Sequence, residues 1–163
     1  MAATHHYETT VRWTGNAGSG TSDYRSYRRD HEIHGDAKPT IPGSSDPAFR
    51  GDPARWNPEE LLVAALAQCH MLWYLHLCAA GGVVVTDYAD TPVGTMTMDV
   101  TGGGGQFTEV TLRPAVTVAD PSMVDKAQAL HDEIDAVCLI ARSINFPVRH
   151  EPTVRTVRAA RDA

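Results

Sequence analysis

Three cysteines, together with a few carboxylates and arginines, are the residues of this 163-residue chain whose types and spacing could do chemistry. Cys69 lies ten residues after Glu59 in the run Asn57-Pro58-Glu59-Glu60-Leu61-Leu62-Val63-Ala64-Ala65-Leu66-Ala67-Gln68-Cys69-His70, and Cys138 lies in Ala136-Val137-Cys138-Leu139-Ile140-Ala141. Thiols act as nucleophiles and redox centres through the thiolate, which needs a neighbouring cation or donor to hold its charge. Cys69 is more than three turns into its helix, so that helix's own dipole cannot serve. Arg50 and Arg55 in the preceding loop, and Arg25, Arg28 and Arg29 before them, are the candidate cations. Glu59 could grip one of them as a bidentate partner and fix its fork toward the sulfur. Cys78 is nine positions beyond Cys69, roughly 13 Å along a helix axis, too far for a bond between them. Cys78 therefore reads as structural. Cys69 and Cys138 lie on separate expected helices and could pair if the helices pack.

The elements that must position these groups are strongly marked. Asn57 is an N-cap, Pro58 fills the first helical position, and Glu60 at N3 completes a capping box. The helix is expected to run to about Ala80, where Gly81-Gly82 stops it. Before it, His6 to Thr14 alternates as a strand, Tyr24 to His34 reads as a second strand, and residues 35–56 read as a long loop. After it come strands over Val83–Tyr88, Val93–Val100 and Gln106–Val118, the last with Pro114 implying an edge or a bulge. Asp120-Pro121 then opens a second helix with Met123, Ala127, Leu130, Ile134 and Val137 on one stripe. Pro147 to Val157 reads as a closing edge strand. The pattern predicts an α+β fold with a mostly antiparallel sheet, in a single domain over 1–163.

The central helix is apolar on nearly every side, so it must be surrounded by core or by a partner subunit. In a chain this small that argues for a homodimer with the helix near the interface. Ten residues of straight helix also separate Glu59 from Cys69 by about 15 Å. Two such helices packed antiparallel across a two-fold axis could bring Glu59 of one chain to Cys69 of the other.

A net charge of −6 and a pI near 5.7 argue against nucleic acid as a main partner. Leu61 to Val85 is apolar enough to raise the question of a membrane span. Gln68, His70, His76 and Gly81-Gly82 interrupt it, and a buried core helix with no membrane role is expected. The first residues have no apolar signal-peptide region, and three free thiols fit a reducing cytoplasm. His31-Glu32-Ile33-His34 and His70/His76 lack a four-ligand set at ordered spacing, so no metal or other cofactor is expected. Gly102 to Gly105 lacks the features of a phosphate loop and reads as a hairpin turn. Arg155 to Arg161 reads as a solvated basic end.

The two cysteine motifs and Asn-Pro-Glu-Glu-Leu-Leu ahead of the first, taken with Trp13-Thr14-Gly15, resemble the OsmC/Ohr family of thiol peroxidases over nearly the whole chain. The resemblance implies an interwoven α+β homodimer with mostly antiparallel sheets around a long apolar helix. It implies reduction of organic hydroperoxides, and of hydrogen peroxide in some members, in defence against oxidative stress. By motif, Cys69 matches the peroxidatic and Cys138 the resolving cysteine, and Glu59 matches the glutamate that orients an arginine. Arg50 is the first choice for that arginine, then Arg55, then Arg29. A disulfide between Cys69 and Cys138 and a thiol or dithiol reductant would complete the cycle. Leu139 replaces the proline that often follows the resolving cysteine, and bulky His70, Met71, Trp73 and Tyr74 follow Cys69. The alternative is a member of this fold that binds a small molecule or lipid in an apolar interface pocket and leaves the thiols idle.

Overall fold

The computed structural model describes residues 3–99 and 104–157, in two compact units, Met1–Leu61 and Leu62–Ala163. The turn expected at Gly102-Gly103, Val100 and the basic end beyond Val157 lie outside the described residues.

In the first unit, β1 (Thr10–Trp13), β2 (His31–His34) and β3 (Ile41–Gly43) form an antiparallel sheet in that order. The second strand is shorter than its sequence suggested, because residues 22–27 fold into turns. Trp13 Nε1 donates to the Arg28 carbonyl at 2.8 Å, and the Arg28 N–H donates to the Gly15 carbonyl at 2.9 Å. Position 15 must be glycine here, since a Cβ would come within 1.9 Å of the Arg28 oxygen. The long loop expected over 35–56 contains β3 and a short 3-10 helix, Pro47–Phe49, capped by Asp46, whose carboxylate accepts from the Ala48 N–H.

Helix α1 (Pro58–Ala80) starts as its sequence dictates. Asn57 Oδ1 accepts from the Glu60 N–H at 2.8 Å, and Glu60 Oε2 accepts from the Asn57 N–H at 3.2 Å, closing the capping box. It ends in a Schellman turn: the Val83 N–H reaches the Cys78 carbonyl at 2.8 Å and the Gly82 N–H the Ala79 carbonyl at 3.3 Å. Gly82 takes φ +74°, open to glycine at no steric cost.

Two three-stranded sheets complete the second unit. β4 (Val85–Asp90), β7 (Pro114–Val118) and β9 (Thr153–Thr156) form one, and β5 (Val93–Asp99), β6 (Gly104–Leu112) and β8 (Val148–His150) the other. The β4–β7 and β5–β6 pairs are antiparallel, and the β6–β8 and β7–β9 pairs parallel. The architecture is thus α+β with mixed, mainly antiparallel pairing. Two sequence expectations are refined. The long strand over 106–118 is divided at Arg113, and the closing strand over 147–157 is divided at Glu151-Pro152. A proline cannot donate to a ladder, so Pro114 falls where the chain leaves one sheet for the other.

Helix α1 is long and apolar enough to cross a membrane by length and composition. Its Leu66, His70, Tyr74 and Cys78, spaced four apart, are buried. Leu66 packs with Val110 and Leu112, and Tyr74 and Cys78 pack with Val83, Val116, Val118, Ala127, Leu130, Ile134 and Cys138. Removing the cap at Asn57 should weaken the protein without altering this core. Asn57→Ala is expected to lower the unfolding free energy by about 1 kcal/mol, read from the urea midpoint, while Asn57→Asp keeps it. An unchanged midpoint in Asn57→Ala would mean the cap contributes nothing.

Candidate functional site

The late segment of the chain carries Cys138, and its conformation decides where that thiol goes. The expected second helix begins as α2 (Val124–Ala129), behind a 3-10 turn capped by Asp120. It then tightens to a 3-10 helix over Leu130–Ala136, and Cys138 falls in the turn beyond it. Asp132, Glu133 and Asp135 crowd what would be the C-terminal half of an α-helix, where the dipole disfavours negative charge. The β-branched Val137 and Ile140 that follow also favour helix weakly.

Two polar contacts clamp this segment antiparallel to α1. Tyr74 Oη donates to the Ala127 carbonyl at 3.1 Å, and His70 Nε2 lies 2.9 Å from His131 Nδ1. The spacing of four is the same on both elements. Had the segment continued as a helix, Cys138 would stand level with residue 63, about 9 Å from the level of Cys69. Cys138 instead lies beside Cys69, past the end of the 3-10 helix, where the Val137 and Cys138 N–H groups both donate to the Ile134 carbonyl, at 2.9 and 2.8 Å.

The structure brings the two sulfurs to 2.7 Å, with both thiols free. Their surroundings differ. Cys138 is 3% exposed, and burial, followed by its contact with Cys69, pushes its thiol pKa up. The Cys138 sulfur is in contact with Cys69 Sγ and also accepts from the Ala141 N–H at 3.4 Å, which partly offsets the effect of burial on its pKa. Cys69 is the more accessible of the two sulfurs. Cys78 is buried, and desolvation raises its pKa, as suits an inert core thiol.

The other expected site residues lie in the first unit. Glu59 Oε2 is shielded from solvent and has no hydrogen-bond partner among the described residues. Among the arginines, Arg55 is 3.9 Å from buried Asp30 and 3.7 Å from Asp52, with Arg28 also on Asp30 at 3.2 Å. Arg29 is sandwiched between the rings of Tyr24 and Tyr27, at 4.3 and 4.2 Å, and donates to both their carbonyls. Arg50 is exposed, in a left-handed backbone turn at φ +67°, and makes no ion pair among the described residues. Its guanidinium lies 5.9 Å from the centroid of the Tyr24 ring, and of the three guanidinium groups it is the one not held by a carboxylate or a carbonyl among the described residues.

Sequence reasoning missed two histidines. His131 lies face-on to Tyr74 at 3.9 Å and stacks with His70 at 5.2 Å, and His150 lies 5.1 Å beyond His70 and pairs with Asp135 at 2.8 Å. The signal was present: His131 falls on the apolar stripe four residues after Ala127, as His70 falls on that of α1. His70 thus pairs with His131 rather than with His76, which lies edge-on to Trp73. Burial, and then the charge of His150, lowers His70 to about 4; burial, and then His70, lowers His131 to about 3. Both rings are neutral at pH 7.

Residues 51–153 match the protein family described as OsmC-like protein. Among solved structures, an OsmC-like protein of unknown function from Vibrio cholerae is 29% identical, with a TM-score of 0.81 over 92% of this chain and 100% of its own. An organic hydroperoxide resistance protein from Elizabethkingia anophelis is 15% identical, with a TM-score of 0.67 over 96% and 100% of the two chains. An organic hydroperoxide resistance protein OsmC from Legionella pneumophila is 18% identical, with a TM-score of 0.64 over 94% and 100%. At those identities the last two share the fold. No curated protein matches the chain.

The buried imidazoles also set a pH dependence. Above pH 6.5 they are neutral whether the chain is folded or unfolded. Between pH 6.5 and about 4 the unfolded chain takes up protons that the folded His70 and His131 refuse, so stability falls as pH falls through that window. The unfolding free energy from urea titration is expected to drop by roughly 2 kcal/mol or more from pH 7.5 to pH 5, above the range where most carboxylates titrate. The drop should shrink in His131→Phe, and equal stability at the two pH values in the wild type would refute the account.

Proposed function

Because this chain belongs to the OsmC-like protein family, we propose that it is a thiol-dependent peroxidase that reduces organic hydroperoxides, with Cys69 as the attacking and Cys138 as the resolving cysteine. The observation that carries this reading is the 2.7 Å approach of a half-buried Cys69 sulfur to a buried Cys138. The substrate class is drawn from fold relatives that are named organic hydroperoxide resistance proteins.

In the first step the Cys69 thiolate attacks the distal peroxide oxygen. The O–O bond breaks, the alcohol leaves with a proton, and Cys69 becomes a sulfenic acid. In the second step the Cys138 sulfur displaces the hydroxyl as water, and a disulfide forms. Peroxide has then gained the two electrons that the thiols lost. A small thiol or dithiol reductant returns both cysteines to thiols by exchange. Free cysteines suit a reducing cytoplasm for this cycle.

Glu59 serves as the anchor of the activating arginine. Its shielded and unpartnered oxygen calls for a donor, since a buried acceptor left unpaired costs about 1–3 kcal/mol. Arg50 is the preferred donor because its guanidinium is not held by another carboxylate. The protein works as a homodimer of single OsmC-like domains, the family match crossing the boundary between the two units. A second copy would cover apolar side chains that one chain leaves out: Val11 and Trp13 on β1 and Leu72 on α1, 64%, 42% and 60% exposed.

Equimolar cumene hydroperoxide is expected to convert the protein to a Cys69–Cys138 disulfide, seen by peptide mass mapping. Cys138→Ser should stop at a Cys69 sulfenic acid that dimedone traps, and Cys69→Ser should consume no peroxide. Glu59→Gln should slow Cys69 oxidation about ten- to a hundredfold, as expected for loss of a charge-assisted hydrogen bond. Unmodified thiols after treatment of dimeric wild-type protein would sink the peroxidase reading.

A further inference from the structure

The buried histidines have no part in the peroxide chemistry above, yet they flank both thiols. His70 follows Cys69 directly, and His131 precedes Cys138 by seven residues. The rings are 2% and 0% exposed, and their nitrogens are 2.9 Å apart. We propose that His70 and His131 are positioning residues, whose hydrogen bond anchors the Cys138 segment to helix α1 and so sets how readily the Cys69–Cys138 disulfide closes. This rests on the peroxidase reading only for the identity of the oxidant.

The direction of the bond follows from what is left over. A neutral imidazole carries one N–H and one bare nitrogen. His131 Nε2 is buried without a partner among the described residues. A proton there would be an orphaned buried donor, which folded proteins tolerate less well than an orphaned acceptor. The proton of His131 is therefore on Nδ1, and it donates to the bare Nε2 of His70. His70 then carries its own proton on Nδ1.

Few other links could do this work. From Leu130 to Cys138, the side-chain polar links between the segment and the rest of its unit, among the described residues, are four. They are His131 to His70, Asp135 to His150, the thiol contact itself, and the Ala141 N–H on the Cys138 sulfur, which is local and does not reach helix α1. Asp135 is 61% exposed, and a pair that open to water holds weakly. Leu130 and Ile134 are buried, but apolar burial is not directional and does not fix register. The imidazole bond is the directional restraint nearest the thiols. Closing the bond from the sulfenic acid forms S–S and releases water; closing it from glutathione disulfide forms S–S and releases two glutathione thiols. Both depend on how much of the time Cys138 is held at attack distance.

The test separates these two routes. His131→Phe keeps a ring over Tyr74 and deletes the donor. His131→Asn puts an amide N–H near the Nδ1 position, and His131→Gln puts one further out. His131→Phe is expected to lower both the rate of disulfide closure after Cys69 oxidation and the glutathione equilibrium constant of the pair about tenfold. The rate of Cys69 oxidation should stay within about twofold, and His131→Asn should recover most of the loss. Closure at the wild-type rate and equilibrium in His131→Phe would overturn the proposal, as would His131→Asn being as impaired as His131→Phe. If the phenylalanine is not accommodated, His131→Asn against His131→Gln decides: Asn closing faster supports it, and equal values overturn it. A wild type inert to peroxide but closing with glutathione would remove the peroxidase reading and leave this comparison intact.

Discussion

The site depends on one constraint: helix α1 buries an imidazole and a phenol on its core-facing stripe, and each must find a polar partner away from water. An unpaired buried group costs about 1–3 kcal/mol, a large share of the stability of a small domain. Leu66 and Cys78, on the same stripe, would accept any apolar neighbour. His70 and Tyr74 would not. The late segment answers them with His131 and the Ala127 carbonyl at the matching four-residue spacing. Sliding the segment by one turn would take His131 away from His70. Polar demand thus acts with apolar packing on which residue of the late segment arrives at Cys69.

The two sheets give this arrangement a stiff backing. β6 and β7 pair with β8 and β9 at a constant offset of 38 residues on both sides of the division. The two sheets are thus connected by a parallel pair of strands that bends without losing register. The bend is held at Arg113, whose N–H donates to Asp90 at 2.7 Å and whose guanidinium meets Glu151 at 3.0 Å. Pro114 and Pro152 occupy it because neither is asked for a ladder hydrogen bond there. Val110 and Leu112 on one side, and Val116 and Val118 on the other, are buried in two neighbouring clusters of the core.

Much of this was legible in the residues, and most of the failures have a common cause. The capping box at Asn57 and Glu60 and the stop at Gly82 were readable because caps are local hydrogen-bond chemistry. The strands at Thr10–Trp13, Val85–Asp90 and Val93–Asp99 were readable, within a few residues, from alternation and turn residues. The meeting of Cys69 and Cys138 was open in the residues themselves and was implied by family resemblance. What escaped was mostly tertiary. A stripe of Ala127, Leu130 and Ile134 reads as an α-helix, and that reading leaves out the acidic run Asp132, Glu133 and Asp135, which disfavours its second half. His131 looked like one polar residue on an amphipathic helix, because its partner lies 61 positions away. Pro114 reads in the sequence as an edge or a bulge; it instead opens β7, the middle strand of its sheet, where the chain changes sheet, and that needs the partner strands to be seen.

The placement of the thiols has a thermodynamic side. Cys69 and Cys138 are 69 residues apart in sequence, so a bond between them would close a loop of nearly half the chain. By loop-closure entropy, such a link withdraws about 4 kcal/mol of freedom from the unfolded chain. The oxidised protein would then be the sturdier of the two redox forms, and the reduced form, ready to react, the looser. A spent molecule waiting for electrons would be better protected against unfolding and proteolysis than an active one. Redox poise would set its lifetime as well as its chemistry.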